Sequence, residues 1–214
     1  MPNHTTNLLE ITGEPSDVKA FMDTVNKGEG NGIEFETIVP MPEVLKNTSS
    51  PCKIMTQEEI DEMWDNFNKL DQKEKDKFNG RPFGIGITQE THDECMRKYG
   101  YADWYSWAVE NWGTKWAAYD DMGWDYLEDD NYASIFFNTA WAPPSAFFIQ
   151  ASKKFPNLEF ELSFADEGGG FLGVQIIKNG EVVDDKDLEW NSDEGKELRE
   201  TLGVYFPEDE DEED

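Results

Sequence analysis

Basic residues are scarce in this chain. It has 18 Lys and Arg against 47 Asp and Glu in 214 residues, which gives a formal net charge of −29 at pH 7. The last seven residues, 208–214, are all acidic, and without them 18 bases still face 40 acids. A body this negative repels nucleic acid phosphates and anionic membranes and attracts basic protein surfaces. The charge therefore argues against direct binding to nucleic acid and points to a basic protein as partner.

Cysteine and long apolar runs are also scarce. Cys52 and Cys95 are the only cysteines, too few for a disulfide framework, so a reducing compartment is expected. No run approaches the roughly 20 apolar residues of a membrane span, and the start of the chain lacks the basic and apolar regions of a secretory leader. We expect a soluble, cytoplasmic protein.

Metal and phosphate motifs are weak. His92 and Cys95 lie three residues apart on a predicted helix, but a zinc site needs two more donors, and nothing places His4 or Cys52 beside them. The segment Gly113-Thr114-Lys115 does not match a phosphate loop, which ends in Gly-Lys-Ser/Thr after a longer glycine-rich run. We instead expect Gly113 to form a structural turn, with Lys115 paired to a carboxylate or stacked on a ring.

Paired carboxylates do not indicate catalysis in this chain. General acid and base work needs two carboxylates in different environments inside a cleft. Among 47 acids, neighbouring pairs arise by chance. We therefore expect neither enzymatic activity nor a cofactor or bound metal.

Aromatic residues, by contrast, are abundant. They make up 14% of the chain and include 8 Trp. Disordered acidic chains are poor in aromatics because they cannot bury enough apolar surface. The composition predicts a folded body.

The order of predicted elements indicates an α+β fold. Alternation and capping signals predict, in order, strand 6–13, helix 15–26, strand 33–39, strand 133–141, helix 145–154, strands 158–164, 171–177 and 181–183, and a last helix ending near 202. This is the split βαβ order of a ferredoxin-like sandwich, an antiparallel sheet with helices on one face. A Trp-rich helical insertion is predicted at about 43–131, with helices at 56–70, 88–99 and 101–112. The domain would span 1–206, followed by a disordered acidic tail at 207–214.

Several short segments also suggest a family. They are the Met1-Pro2-Asn3 start with its Thr-Asn-Leu strand, Phe35 to Pro42, Trp107 to Trp116, Phe137 to Pro144, and Phe155-Pro156 with Glu167-Gly168 and Phe171 to Gly173. Together they resemble the YubB-like proteins of phages and plasmids. The resemblance implies a ferredoxin-like core and an origin in a mobile element, and it implies no catalytic residues.

The acids cluster in three stretches, which gives our leading hypothesis. The residues expected to bind a partner are Asp120, Asp121, Asp125, Glu128, Asp129 and Asp130 in the first stretch and Asp184, Asp185 and Asp187 in the second; the third is the tail. Such a surface can imitate nucleic acid and fill the basic groove of a host nucleic-acid-binding defence protein, of the restriction or CRISPR type. The hypothesis is therefore a non-enzymatic inhibitor.

Two alternatives come from other classes. One is an interaction or homo-oligomerising module that uses the aromatic segment, with Trp104, Trp107, Trp112, Lys115 and Trp116 as its site. The other is a protein that sequesters a small molecule or nucleotide signal in a local basic pocket. Its candidate cations are Lys115, Arg81, Arg97 and Lys98.

Overall fold

The chain forms two compact units. The computed structural model describes residues 3–26, 33–46, 48–78, 80–127 and 130–205. One unit comprises Met1–Pro40 with Asn111–Asp214, and the other comprises Met41–Glu110. The second unit interrupts the first, as the predicted insertion does, but it ends at Glu110, whereas the prediction extended to 131.

The elements follow one another in a simple order. They are β1 (His4–Thr12), α1 (Pro15–Val25), a 3-10 helix (Phe35–Thr37), α2 (Gln57–Asn68), α3 (Gln72–Asp76), α4 (Gln89–Tyr99), α5 (Trp104–Trp112), β2 (Tyr119–Tyr126), β3 (Tyr132–Ala140), α6 (Ser145–Lys154), β4 (Glu159–Asp166), β5 (Leu172–Lys178), β6 (Glu181–Asp187) and α7 (Asp193–Leu202).

The strands of the described residues form one sheet in the order β2-β3-β1-β4-β5-β6. Every neighbouring pair is antiparallel. The succession β1-α1-β2-β3-α6-β4 is the split βαβ arrangement, and β5 and β6 extend the sheet beyond β4. The predicted ferredoxin-like fold is confirmed.

Helices α1 and α6 cover one face of this sheet. Helix α1 buries one apolar face, which consists of Val18, Phe21, Met22 and Val25. These residues recur at helical spacing and therefore lie on the same side of the helix. The Phe21 ring meets Phe160 of β4 edge to face, with ring centroids 5.1 Å apart. Phe148 of α6 lies 6.0 Å from the same Phe160 ring. We call this side the covered face.

Helix α7 packs on part of the opposite face. Its residue Leu202, with Val204, joins a buried cluster with Leu8, Ala165 and Leu172. Leu8 and its neighbour Leu9 are both buried although they point to opposite faces, because side chains alternate along a strand. Ser192 caps the start of the helix, and its hydroxyl accepts a hydrogen bond from the Gly195 amide. We call this second side the open face, since α7 covers only part of it.

The prediction of a strand at 33–39 is wrong. Residues Phe35–Thr37 form a 3-10 helix instead, and the Glu34 side chain accepts a hydrogen bond from the Glu36 amide at its start. The second strand of the ferredoxin-like unit is β2, which the sequence placed inside the helical insertion. Trp124 and Tyr126 alternate along β2, and they pair with Ile135 and Ala133 of β3, which are buried on the covered face. The acidic residues of β2 made this alternation hard to recognise in the sequence.

The second unit is mainly helical. Helix α2 has the predicted capping box: the Thr56 hydroxyl accepts from the Glu59 amide, and the Glu59 carboxylate accepts from the Thr56 amide. Thr88 caps the start of helix α4, and Gly100 caps its end in a left-handed conformation with φ of 80°. In the described part of the chain, no helix is long and apolar enough to cross a bilayer.

Candidate functional site

A row of carboxylates crosses the open face of the sheet. The strand register pairs Asp125 of β2 with Ser134, Ser134 with Glu10 of β1, and Glu10 with Glu161 of β4. The same line continues from Glu161 to Ile176 of β5 and from Ile176 to Asp184 of β6. Directly paired residues share a face of an antiparallel sheet. We call Asp125, Glu10, Glu161 and Asp184 the carboxylate row.

The row spans the full width of the sheet. Neighbouring strands lie about 4.8 Å apart, so its two ends are separated by about 24 Å. Asp125 and Asp184, on the two edge strands, are exposed, whereas Glu10 and Glu161 in the middle are half-buried. The central pair belongs to adjacent strands, which places two like charges directly opposite each other.

The environment of Glu161, one of the central pair, favours a proton or a bound cation. Partial burial raises the pKa of Glu161, and the nearby charges of Glu10 and Glu159 raise it further. The Tyr132 hydroxyl donates a hydrogen bond of 2.6 Å to Glu10 Oε1, which holds that carboxylate in place. A bound Lys or Arg side chain would relieve the repulsion from Glu10 and Glu159, which adds to the effect of burial on the pKa of Glu161.

A second line of charged groups flanks the row. Glu159 of β4 lies opposite Lys178 of β5, and Lys178 lies opposite Glu181 of β6. The Lys178 ammonium is 3.3 Å from Glu159 Oε2. Since one lysine stands between two carboxylates here, this line adds to the negative potential beside the row.

Two of the nine predicted acidic residues, Asp125 and Asp184, belong to the row, whereas two others on β6 lie on the opposite face. Asp125 and Asp184 form its ends. Asp185 and Asp187 of β6 pair with Gln175 and Gly173, whose partners on β4 lie on the covered face. Strand alternation therefore divides the predicted β6 cluster between the two faces.

The remaining predicted acids lie beside β2 or beyond it. Asp120 is exposed and adopts a positive φ of 49°, next to the register shift in β2. Asp130 is exposed just before β3. Asp121 lies in β2, but its side chain is outside the described part of the chain. Glu128, Asp129 and the predicted tail at 207–214 also lie outside the described residues.

Sequence reasoning missed the centre of the row. Glu10 and Glu161 sit alone between apolar residues of their strands, away from any acidic stretch. Alternation shows that both point away from the core, which was available from the sequence. What the sequence did not supply is the register that brings these two strands together.

The predicted aromatic site is largely internal. Trp107 and Trp112 are only 6% and 5% exposed. The Trp112 indole donates a hydrogen bond of 2.9 Å to the carbonyl of Val39. Trp104 is half-buried, and Trp116, at 36% exposed, is the most accessible of the four. Trp107 and Trp112 therefore serve packing rather than recognition.

Lys115 occupies an aromatic corner, as predicted. Its ammonium nitrogen lies 4.7 Å from the ring centroid of Trp116 and 4.1 Å from that of Trp141. Gly113 precedes it with φ of 85°, and a Cβ there would come within 3.1 Å of the Ala146 amide nitrogen. The two rings hold the lysine by cation–π attraction, which confirms the interpretation of this segment as a structural turn.

The other candidate ligands are dispersed. His92 pairs with Asp93 at 3.1 Å, while Cys95 on the same helix is buried, and burial raises the pKa of its thiol. His4 contacts the Tyr119 hydroxyl at 2.7 Å in the other unit. Among the described residues, no three His, Cys, Asp or Glu side chains lie together as a metal site.

The candidate nucleotide-binding cations are also separated. Arg97 and Lys98 lie exposed in the last turn of α4, where the Lys98 ammonium is 5.0 Å from the Tyr99 ring centroid. Arg81 lines a cavity of about 290 Å³ within the second unit. Of the four cations considered, only Arg81 lines this cavity.

Comparison with known proteins supports the fold. Residues 111–208 match a family model described as the ferredoxin-like domain in Api92-like protein. The match covers slightly less than half of the chain and includes β2 to α7. No curated protein matches the chain.

One solved structure is similar over most of the chain. It is the crystal structure of a protein api92 from Yersinia pseudotuberculosis, with 14% sequence identity and a TM-score of 0.46. The alignment covers 88% of this chain and 99% of that chain.

The predicted resemblance to the YubB-like family is wrong. The family model that matches part of the chain is that of the ferredoxin-like domain in Api92-like protein. The short segments chosen from the sequence include core and turn residues such as Trp112, Gly113 and Phe137, which a fold of this kind needs for packing. They indicated the fold correctly and the family incorrectly.

Proposed function

We propose that this protein binds the basic, nucleic-acid-binding surface of another protein and excludes nucleic acid from it. The carboxylate row is the observation that carries the proposal. The sheet holds four carboxylates in line, and the charges of the central pair repel each other. A bound cation would reduce this repulsion. Lys and Arg side chains of a client would supply that cation, and once bound they are no longer available for phosphate contacts.

The charge spacing refines the mode of binding. A DNA duplex carries about 14 phosphates over a length of 24 Å, at one charge per ~1.7 Å. The row carries four carboxylates over its span, with flanking acids beside it. The protein therefore competes as a sparse polyanion of fixed shape, and it does not reproduce the duplex charge by charge.

The client is defined by its chemistry. The restriction or CRISPR-type target expected from the sequence followed from the resemblance to YubB-like phage and plasmid proteins, and that resemblance is wrong. Charge and geometry support a basic nucleic-acid-binding protein as the client. We propose the cytoplasm as the compartment, in line with two free cysteine thiols.

The test uses two variants of equal charge. The row variant carries Glu10→Gln, Glu161→Gln and Asp184→Asn. The control variant carries Glu62→Gln, Asp65→Asn and Glu94→Gln, which neutralises three exposed carboxylates of the second unit. Both change the net charge from −29 to −26, so a difference between them reports position rather than total charge.

The tagged wild-type protein first captures clients from a lysate at low salt. Each client is then titrated with the three proteins and challenged with a labelled DNA or RNA fragment. We expect the wild type to displace the fragment and the row variant to bind about tenfold more weakly, because close charge pairs across an interface couple by ~1.5 kcal/mol or more. Salt should weaken the wild-type complex, since exposed charges are screened over ~10 Å at 0.1 M.

Three results would contradict the proposal. They are equal losses in the row and control variants, binding that survives high salt, and a client that holds its nucleic acid while this protein is bound. A salt-resistant complex that depends on Trp116 would instead support the aromatic interaction module.

A further inference from the structure

The second unit contains a cavity that the proposed function does not use. Its volume is about 290 Å³, and all of its lining residues belong to the unit Met41–Glu110. It lies between the segment 43–46, helix α2, the segment 81–88 and the first turn of α4. Sites for small organic ligands begin at roughly 300 Å³, so the cavity fits a compact molecule.

One wall of the cavity is apolar. Ile60 and Trp64 of α2 face it, together with Ile85 and Ile87 of the following segment. Trp64 remains 37% exposed, and Val44 at the lining is 39% exposed. A large aromatic side chain that stays accessible beside a cavity offers a surface for the apolar body of a ligand.

Two cations line the same cavity. The Lys46 ammonium lies 3.3 Å from Glu43 Oε2, and the Arg81 guanidinium bonds to Glu43 Oε1. Hydrogen bonds from Arg81 and then from Lys46 lower the pKa of Glu43, so this carboxylate is charged at neutral pH. Two cations share one carboxylate, which leaves the charged groups of the lining with a net charge of +1 in a chain whose net charge is −29.

Hydroxyl groups complete the lining. Thr88 and Thr91 both face the cavity and are half-buried, and their hydroxyl oxygens lie 2.9 Å apart. They add hydrogen-bonding groups beside the apolar wall and the cations. Apolar walls with a few converging polar groups are the usual composition of a small-molecule site.

We propose that this cavity binds a small organic monocarboxylate with an aromatic or aliphatic body. The planar guanidinium of Arg81 matches the two oxygens of a carboxylate, and it would exchange Glu43 for the ligand or share both. A lining charge of +1 balances one negative charge. A phosphate dianion would leave one charge uncompensated against the field of the whole protein.

The test is a ligand titration of the full chain, followed by NMR. The probe is indole-3-acetate, and its matched control is indole-3-acetamide, which has the same ring and no charge. Inorganic phosphate and AMP test the phosphate alternative. We expect the acetate to shift the amide signals of Thr88 and Thr91 and the guanidinium signal of Arg81, with an affinity about tenfold above that of the acetamide.

Two lysine variants separate a local effect from one of total charge. Lys46→Gln removes a cation of the cavity, and Lys178→Gln removes a lysine of the sheet that pairs with its own glutamate at the same distance, 3.3 Å. We expect Lys46→Gln to weaken binding of the acetate by about tenfold, as expected for losing a charge-assisted contact, and Lys178→Gln to leave it unchanged. Val44→Trp should abolish binding by filling the cavity, while the spectrum of the sheet stays the same.

Several outcomes would overturn the proposal. They are the absence of shifts at the cavity residues up to millimolar probe, equal binding of acetate and acetamide, tighter binding of AMP, and equal effects of the two lysine variants. The row variant described above leaves this site untouched, so failure here and failure of the proposed function are separate results.

Discussion

The two faces of the six-stranded sheet differ in what their side chains do: one face buries apolar residues, and the other exposes carboxylates. On β1, Leu9 and Ile11 point to the covered face and are fully buried, and Glu10 between them points to the open face. Burial of apolar area stabilises the first face, whereas adjacent like charges destabilise the second. The contrast indicates that apolar packing on the covered face stabilises the sheet, whereas the carboxylate row on the open face destabilises it.

The largest effect should come from the covered face. Phe160→Ala removes a fully buried ring that contacts rings of α1 and α6, and we expect it to lower the free energy of unfolding by about 3–5 kcal/mol. Urea unfolding measures the loss. Phe83→Ala is the control, because Phe83 is 77% exposed and its loss should cost less than ~0.5 kcal/mol. Equal effects would mean that the core does not lie under these helices.

The part of the open face under α7 should respond less. Leu8→Ala removes a side chain from the cluster that α7 covers, and we expect a loss of about 2 kcal/mol, at the lower end for a buried leucine. Hydrogen exchange of the α7 amides should rise in this variant. A loss as large as that of Phe160→Ala would show that the two faces pack equally well.

The tyrosine beside the carboxylate row should contribute a smaller amount. Tyr132→Phe removes the hydroxyl that donates to Glu10, and we expect a loss of about 1 kcal/mol. Client binding should also weaken, because Glu10 would no longer be held in place. If stability and client binding are both unchanged, the hydrogen bond does not organise the row.

The smallest effect should be a gain in stability. Glu161→Gln removes a half-buried charge opposite Glu10, and we expect a gain of up to about 1 kcal/mol at neutral pH. The pKa of Glu161 is raised in the folded protein, so the protonated side chain favours folding. This stabilisation is fully present below the unfolded pKa and is lost as the pH rises through the folded pKa. The gain should therefore disappear below about pH 4.5, the ordinary value. Asp184→Asn, at the exposed end of the row, should show little gain, and a destabilised Glu161→Gln would contradict the account.

Several elements of both units were predictable from local patterns. The helix at 145–154 was placed at its observed ends, because the Pro143-Pro144 pair and the apolar spacing of Phe147, Phe148 and Ala151 are local signals. The capping box at Thr56 was likewise read from four residues. The strand β2 was missed because its solvent-facing positions are acidic and obscure the alternation.

The candidate sites were only partly predictable. The acidic stretches correctly included Asp125 and Asp184 of the carboxylate row. They also included Asp185 and Asp187, whose side chains lie on the other face of β6. The cavity joins residues from 43 to 91, none of which forms a recognisable motif. Sites assembled from distant segments leave little trace in any single stretch of sequence.

The sequence by itself determined the charge of this protein, the apolar face of helices such as α1, and the alternation of apolar and polar side chains in strands such as β4. These depend on composition and on neighbours within a few residues. Only the tertiary structure decided which strands lie side by side and in what register. That register places Glu10 and Glu161 on one line between Asp125 and Asp184. The physical reason is that register is set by packing between distant segments, such as Thr5 and Asp166, which pair across 161 residues. A shift by one residue would turn every side chain of a strand to the other face.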